Sequence, residues 1–134
     1  MSDWLVDKSA WSASAPPPTQ RSGQTPSSAR WCGISTLTRL EVGFSARTGG
    51  ELRDELRRPP LIAMPVEYLT PAIEDRAVEV QGRLAERGHH RAPGVPDLLI
   101  AATAELVGLV VLHGDKDFEL IADVTGQWVE RLAQ

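Results

Sequence analysis

Short apolar runs alternate with longer amphipathic stretches along most of the chain. Trp4-Leu5-Val6, ending in Asp7, predicts a buried strand, and Trp31-Cys32-Gly33-Ile34 predicts a second. Ser35 stands where an N-cap belongs, and a helix is expected from there to about Arg47. Its inward stripe is read as Leu37, Leu40 and Phe44, and Gly49-Gly50 as its stop. Glu51 to Arg58 is densely charged and predicts a short exposed helix halted by Pro59-Pro60. Leu61 to Val66 predicts a short strand. Thr70-Pro71 is a helix start, with Thr as cap and Pro in the first turn. Ile73, Ala77, Val80 and Leu84 follow on one face, and Gly88 closes the helix.

Pro96 opens another helix that runs to Leu106 or Val107, capped by Gly108. It is apolar nearly all round and should be buried. Leu109 to Leu112 is a continuous apolar run with two valines, as a central parallel strand requires. His113 to Lys116 reads as a turn, Asp117 to Val124 as a short helix, and Gln127 to Val129 as a last strand. Helices alternating with apolar strands predict an α/β fold with a mainly parallel sheet.

One stretch breaks this texture. Ser12 to Arg30 holds Pro16-Pro17-Pro18, Pro26 and many Ser and Thr residues, with no large apolar side chain. Such a segment cannot bury a face and is expected to be loop or disordered chain. The chain, this stretch included, has the length of one domain spanning 1–134.

With 14 basic and 18 acidic residues the net charge is −4. A protein that grips nucleic acid through overall charge should be basic, so any such role here needs local positive charge or a metal. Cys32 is the only cysteine, which excludes an internal disulfide and a Cys-based zinc cluster and fits a reducing cytoplasm. No apolar run reaches membrane-spanning length.

The acids carry the chemistry. Asp7 ends the first strand and Asp115 lies just past the strand at 109–112. Ligands in open α/β sheets bind at the carboxyl ends of strands, so both face the reactive side. Glu41 falls inside the apolar stripe of its helix, and Asp97 opens the most apolar helix. Each has a plain structural explanation by itself. Asp97 suits a helix N-terminus, Glu41 could pair with Arg39 or Arg53, and Asp115 and Asp117 suit a turn. Together they are the hard oxygen donors that Mg²⁺ or Mn²⁺ requires. With no convincing Ser, Cys or His nucleophile, the pattern points to metal-assisted phosphodiester hydrolysis.

The ordered segments Val6-Asp7-Lys8-Ser9-Ala10, Leu40-Glu41-Val42-Gly43, Ser45-Ala46-Arg47, His90-Arg91, Pro96-Asp97-Leu98-Leu99-Ile100-Ala101-Ala102 and Leu112-His113-Gly114-Asp115-Lys116-Asp117-Phe118 resemble a known family. They look like PIN-domain toxins of the VapC type, from type II toxin–antitoxin pairs. The resemblance spans residues 4–11 and about 32–130. It implies a three-layer fold with a short central sheet flanked by helices, and an Mg²⁺- or Mn²⁺-dependent endoribonuclease. Catalytic acids would be Asp7, Glu41, Asp97 and Asp115. Metal ligands would be Asp7, Asp97 and Asp115, with Asp117 a further candidate, and Ser9 a supporting hydrogen-bonding residue. The resemblance also implies structured RNA such as tRNA or rRNA as substrate, a VapB antitoxin as inhibitor, and a homodimer. Ser12 to Arg30 departs from the family's helical, leucine-bearing segment. A catalytically impaired protein that only binds antitoxin or RNA is therefore the competing reading.

Among the basic residues, Lys8, Arg91 and Lys116 lie nearest the acids and are the first choices for RNA phosphate contacts. His89, His90 and His113 lack the helical spacing of common zinc sites, and the four tryptophans are read as packing residues. A haloacid-dehalogenase-type phosphatase would want Asp-x-Asp after the first strand, where Asp7-Lys8-Ser9 stands. A receiver domain would want an acid after Ile34, where Ser35 stands.

Overall fold

The computed structural model describes residues 2–11, 31–59 and 61–132; the atypical stretch from Ser12 to Arg30 lies outside them. Five strands form one parallel sheet: β1 (Ser2–Val6), β2 (Trp31–Ser35), β3 (Val66–Glu67), β4 (Val110–His113) and β5 (Val129–Arg131), in the order β3-β2-β1-β4-β5. Among the described residues, six helices connect and cover them: α1 (Lys8–Trp11), α2 (Thr36–Phe44), α3 (Gly49–Arg57), α4 (Pro71–Glu86), α5 (Val95–Val107) and α6 (Asp117–Thr125).

The sheet is buried on both faces because adjacent strand residues point opposite ways. Leu5 and Val111 join Ile73, Ala77, Val80 and Leu84 of α4, the buried side of α5, and Phe118 and Ile121 of α6. Val6 and Leu112 turn the other way, onto Cys32, Ile34, Val42, Leu61 and Met64. This gives the three layers expected from the sequence, and the sheet is parallel throughout. The inward face of α4 is the one its spacing predicts. Arg76 of α4 clamps Glu105 of α5 through Nε (2.6 Å) and Nη2 (3.0 Å), a bidentate pair that fixes α5 against α4. Gly108 closes α5 at φ 78°, a left-handed conformation that other residues adopt at a cost.

Several expectations need correction. Helix α2 ends at Phe44, short of Arg47, and its buried residues are Thr38 and Val42. Leu40 is 65% exposed and Phe44 92% exposed, so only Leu37 of the expected stripe packs on the core. Thr38 can face inward because Ser35 Oγ accepts its amide at 3.2 Å while its hydroxyl lies 3.3 Å from the same oxygen. Gly49-Gly50 begins α3 and does not end α2; Thr48 caps that helix by accepting the Glu51 amide at 3.0 Å. The stretch from Leu61 to Val66 is a 3-10 turn (Leu61–Ala63) followed by the two-residue β3. His113 ends β4 and does not begin the turn, and β5 starts at Val129, two residues after the expected Gln127. Trp128 is 80% exposed, contrary to a packing role. Among the described residues no helix is long and apolar enough to cross a membrane.

Candidate metal centre

The chain runs from β1 outward to β2 and β3, then returns to β4 on the other side of β1 and continues to β5. The order therefore reverses between β1 and its two neighbours. Such a reversal opens a crevice at the strands' carboxyl ends. Asp7 follows β1 there, with its amide donating to Leu112 O at 2.9 Å, and Asp115 follows β4. Helix α2, launched by the Ser35 cap at the end of β2, brings Glu41 to the same edge. Asp97 comes from the first turn of α5.

Asp7 is buried. Its Oδ2 accepts both the Ser9 amide (2.9 Å) and the Ser9 hydroxyl (2.5 Å), while Oδ1 is buried with no hydrogen-bond partner. Ser9 Oγ in turn accepts the Gly114 amide at 2.9 Å, tying the end of β1 to the loop after β4. The two segments touch so closely that a Cβ at Gly114 would lie 2.7 Å from the Ser9 carbonyl oxygen. Glu41 Oε1 is also buried and unpartnered, so the alternative of a pairing with Arg39 or Arg53 does not satisfy that oxygen. The charges that act on it are Asp7 and Lys8, and Lys8 Nζ donates to Ser45 Oγ.

Asp97 Oδ2 accepts the Gly94 amide at 3.1 Å, and Asp115 Oδ1 accepts the Asp117 amide at 3.0 Å. Each of Asp97, Asp115 and Asp117 offers a carboxylate oxygen within 4.8 Å of the others. Burial pushes the Asp97 carboxyl up to about 6; the Gly94 amide opposes this, and the negative charges of Asp7, Asp115 and Asp117 add to it. Burial and the neighbouring Asp7 likewise raise Glu41, against the pull of Lys8. Asp117 is raised by burial and Asp115, against Lys116. Like charges crowded together, two of their oxygens buried without a donor, are costly unless a cation joins them.

The converging donor set is all carboxylate, which suits a hard divalent ion; it holds the expected Asp97, Asp115 and Asp117, whereas Asp7, also expected as a ligand, is not in that group. His89 and His90 sit in the loop before α5, outside the cluster. Lys116 is exposed between Asp115 and Asp117, and Arg91 is exposed three residues before Gly94. The sequence reading missed Gly114, whose signal was only that of a turn residue, and Gly94, whose amide holds Asp97.

A reversal point of a parallel sheet that gathers carboxylates from two strand ends and three helices defines a class of protein: an α/β fold built around an acidic centre. The chain belongs to the PIN-domain family, whose model matches residues 5–124. It is 60% identical to Ribonuclease VapC2 of Mycobacterium tuberculosis over 129 residues, which cover 96% of this chain and 92% of that protein. Ribonuclease VapC18 of the same species is 38% identical over 132 residues, covering 95% and 93%. The fold matches VapBC2 from Rickettsia felis bound to a DNA fragment from their promoter, with a TM-score of 0.79, 14% identity, and coverage of 99% of this chain and 100% of that one. DNA-bound VapBC from Salmonella typhimurium gives a TM-score of 0.75 at 19% identity, with 98% of both chains covered.

Proposed function

We propose that this PIN-domain ribonuclease hydrolyses phosphodiester bonds in structured RNA, tRNA or rRNA, with a divalent ion held by Asp7, Asp97 and Asp115, and with Asp117 within reach of the same ion. The observation that carries this is the pair of buried, unpartnered oxygens, Asp7 Oδ1 and Glu41 Oε1, beside three further carboxylates. Mg²⁺ or Mn²⁺ bound there would activate a water and stabilise charge on the phosphoryl and leaving oxygens.

The chain's own groups supply the rest. Ser9 holds the Asp7 carboxylate through two hydrogen bonds and leaves Oδ1 free. The Gly94 amide orients Asp97. Glu41 Oε1, unpartnered and with a raised pKa, accepts the proton of the attacking water as its oxygen bonds to phosphorus and the bond to the leaving ribose oxygen breaks. Lys8, Arg91 and Lys116 contact flanking phosphates and set position without reading sequence.

The chain is the toxin of a toxin–antitoxin pair, neutralised by a VapB-type antitoxin and acting in the cytoplasm as a homodimer. The relatives' names and the VapBC assemblies among the matching structures support the toxin role and the antitoxin partner. Exposed Leu40 and Phe44 on the helix that carries Glu41 offer a partner apolar surface near the acids. The match over 5–124 supports one domain for the whole chain. The binding-only alternative shares all four acids, so loss of RNA cleavage with retained partner binding is what would favour it.

Purified protein incubated with total tRNA and rRNA tests the proposal, with Mg²⁺, with Mn²⁺ and with EDTA. Discrete cuts that need the metal and vanish in Asp97→Asn are expected. Folded protein that leaves every RNA intact under both metals would sink it.

A further inference from the structure

The loop after β4 carries two of the acids, and side chains hold three of its backbone amides. Gly114 N donates to Ser9 Oγ (2.9 Å), Asp115 N to His113 Nδ1 (3.2 Å) and Asp117 N to Asp115 Oδ1 (3.0 Å). The Ser9 and Asp115 contacts belong to the acidic centre already described. His113 has no part in that chemistry, yet it is fully buried at the last position of β4.

We infer that His113 is a positioning residue for Asp115: its imidazole accepts the Asp115 amide at Nδ1 and so aims the Asp115 carboxylate at the divalent ion. This rests on the reading of Asp115 as a ligand to that ion.

Three observations carry the inference. First, an amide proton directed at Nδ1 requires a bare nitrogen there, which places the ring's one proton on Nε2. Second, Nε2 is buried with no hydrogen-bond partner. A leucine or phenylalanine could fill this volume without a stranded polar atom, which costs about 1–3 kcal/mol. Packing alone therefore does not account for a histidine; the bond at Nδ1 does. Third, the ring is held from several sides. Its centroid is 5.2 Å from that of Phe118, and its own carbonyl accepts the Leu132 amide at 2.7 Å in register with β5. A fixed ring fixes the Asp115 amide, and the carboxylate is then held at its far side by the Asp117 amide.

The geometry is that of a side chain accepting the amide two residues on, which asparagine also makes. Asparagine therefore keeps the acceptor, and leucine keeps the bulk without it. The test measures Mn²⁺ dissociation constants without RNA, by electron paramagnetic resonance of the free ion, with melting in EDTA as the folding control. His113→Leu is expected to bind Mn²⁺ about 10- to 100-fold more weakly, the usual effect of removing a group that orients a ligand. His113→Asn is expected to recover most of that loss even if it melts as low as the leucine variant. A nitrogen-15 spectrum of the wild-type histidines should show His113 protonated at Nε2 and bare at Nδ1. Folded His113→Leu that binds Mn²⁺ as the wild type does overturns the inference and leaves the metal site standing. Asparagine that binds no better than leucine overturns it too. A proton on Nδ1 overturns it whatever the variants do. Wild-type protein that binds no Mn²⁺ overturns the metal reading and this inference with it.

Discussion

Asp97→Asn should stabilise the metal-free protein while removing its hold on the ion. The folded state holds the Asp97 carboxyl at about 6, against an ordinary 3.8. A shift of that size corresponds to about 3 kcal/mol, at about 1.4 kcal/mol per pH unit. Asp97 is only half-buried, so screening by water reduces the effective cost of its charge to about 1 kcal/mol. For a chain of this length that moves the melting temperature by about 3–5 °C. The sign follows from proton binding. Between pH 4 and 6 the metal-free folded protein holds a proton on Asp97 that the unfolded chain has released. Stability from this group is complete below the unfolded pKa and is lost as pH rises through the folded one. Asparagine carries no such charge and keeps an oxygen for the Gly94 amide. Thermal melts in EDTA at pH 7.5 should therefore place Asp97→Asn above the wild type, and the gap should close near pH 4.5. With Mn²⁺ added at pH 7.5 the order should reverse, because only the wild type gains binding energy. A variant that melts at or below the wild type in EDTA at pH 7.5 would refute the reasoning, as would a gap that widens in acid.

Three further outcomes follow from the contacts. Ser9→Ala removes the hydroxyl that joins Asp7 to the Gly114 amide; urea unfolding should show a loss of about 1–3 kcal/mol, and calorimetry a weaker Mn²⁺ affinity. Gly114→Ala drives a Cβ to 2.7 Å from a backbone oxygen that cannot swing away; it should cost about 1–3 kcal/mol in the same urea assay, although alanine is normally the milder residue. Leu84→Ala in the core beneath α4 should lose about 2–5 kcal/mol, whereas Phe44→Ser on the exposed end of α2 should stay within about 0.5 kcal/mol of the wild type. Equal losses for these two would restore the apolar stripe first read on α2.

The parts of the fold that bury a continuous apolar surface were legible. β1, β4, the Thr70-Pro71 start of α4, its four buried positions and the Gly108 cap of α5 all follow from apolar runs and capping residues. Helix α2 misleads because it covers the polar end of the sheet as well as the core. Its buried Thr38 is satisfied by Ser35, and its Leu40 and Phe44 are left outside. The start of α3 was present in the sequence as Thr48-Gly49-Gly50-Glu51, a Thr followed three residues on by Glu, but the two glycines read more loudly as a stop. β3 has two residues and β5 three, too few for alternation to register.

The candidate site was legible as far as its acids, because each stands at the end of a strand or at an odd place on a helix. What holds them was not. The Ser9–Gly114 bond spans residues 105 apart in the chain, and the His113–Asp115 bond depends on a ring orientation that no spacing encodes. Asp117 gains its proximity to Asp97 from the turn that its own amide makes with Asp115.

The central claim is that these carboxylates converge to hold a divalent ion. Anomalous diffraction from crystals of the protein soaked in Mn²⁺ tests it most directly. A manganese peak bounded by Asp7, Asp97 and Asp115 is the predicted result. Crystals with the site open to solvent and no manganese there, or manganese bound only at other acids, would contradict it.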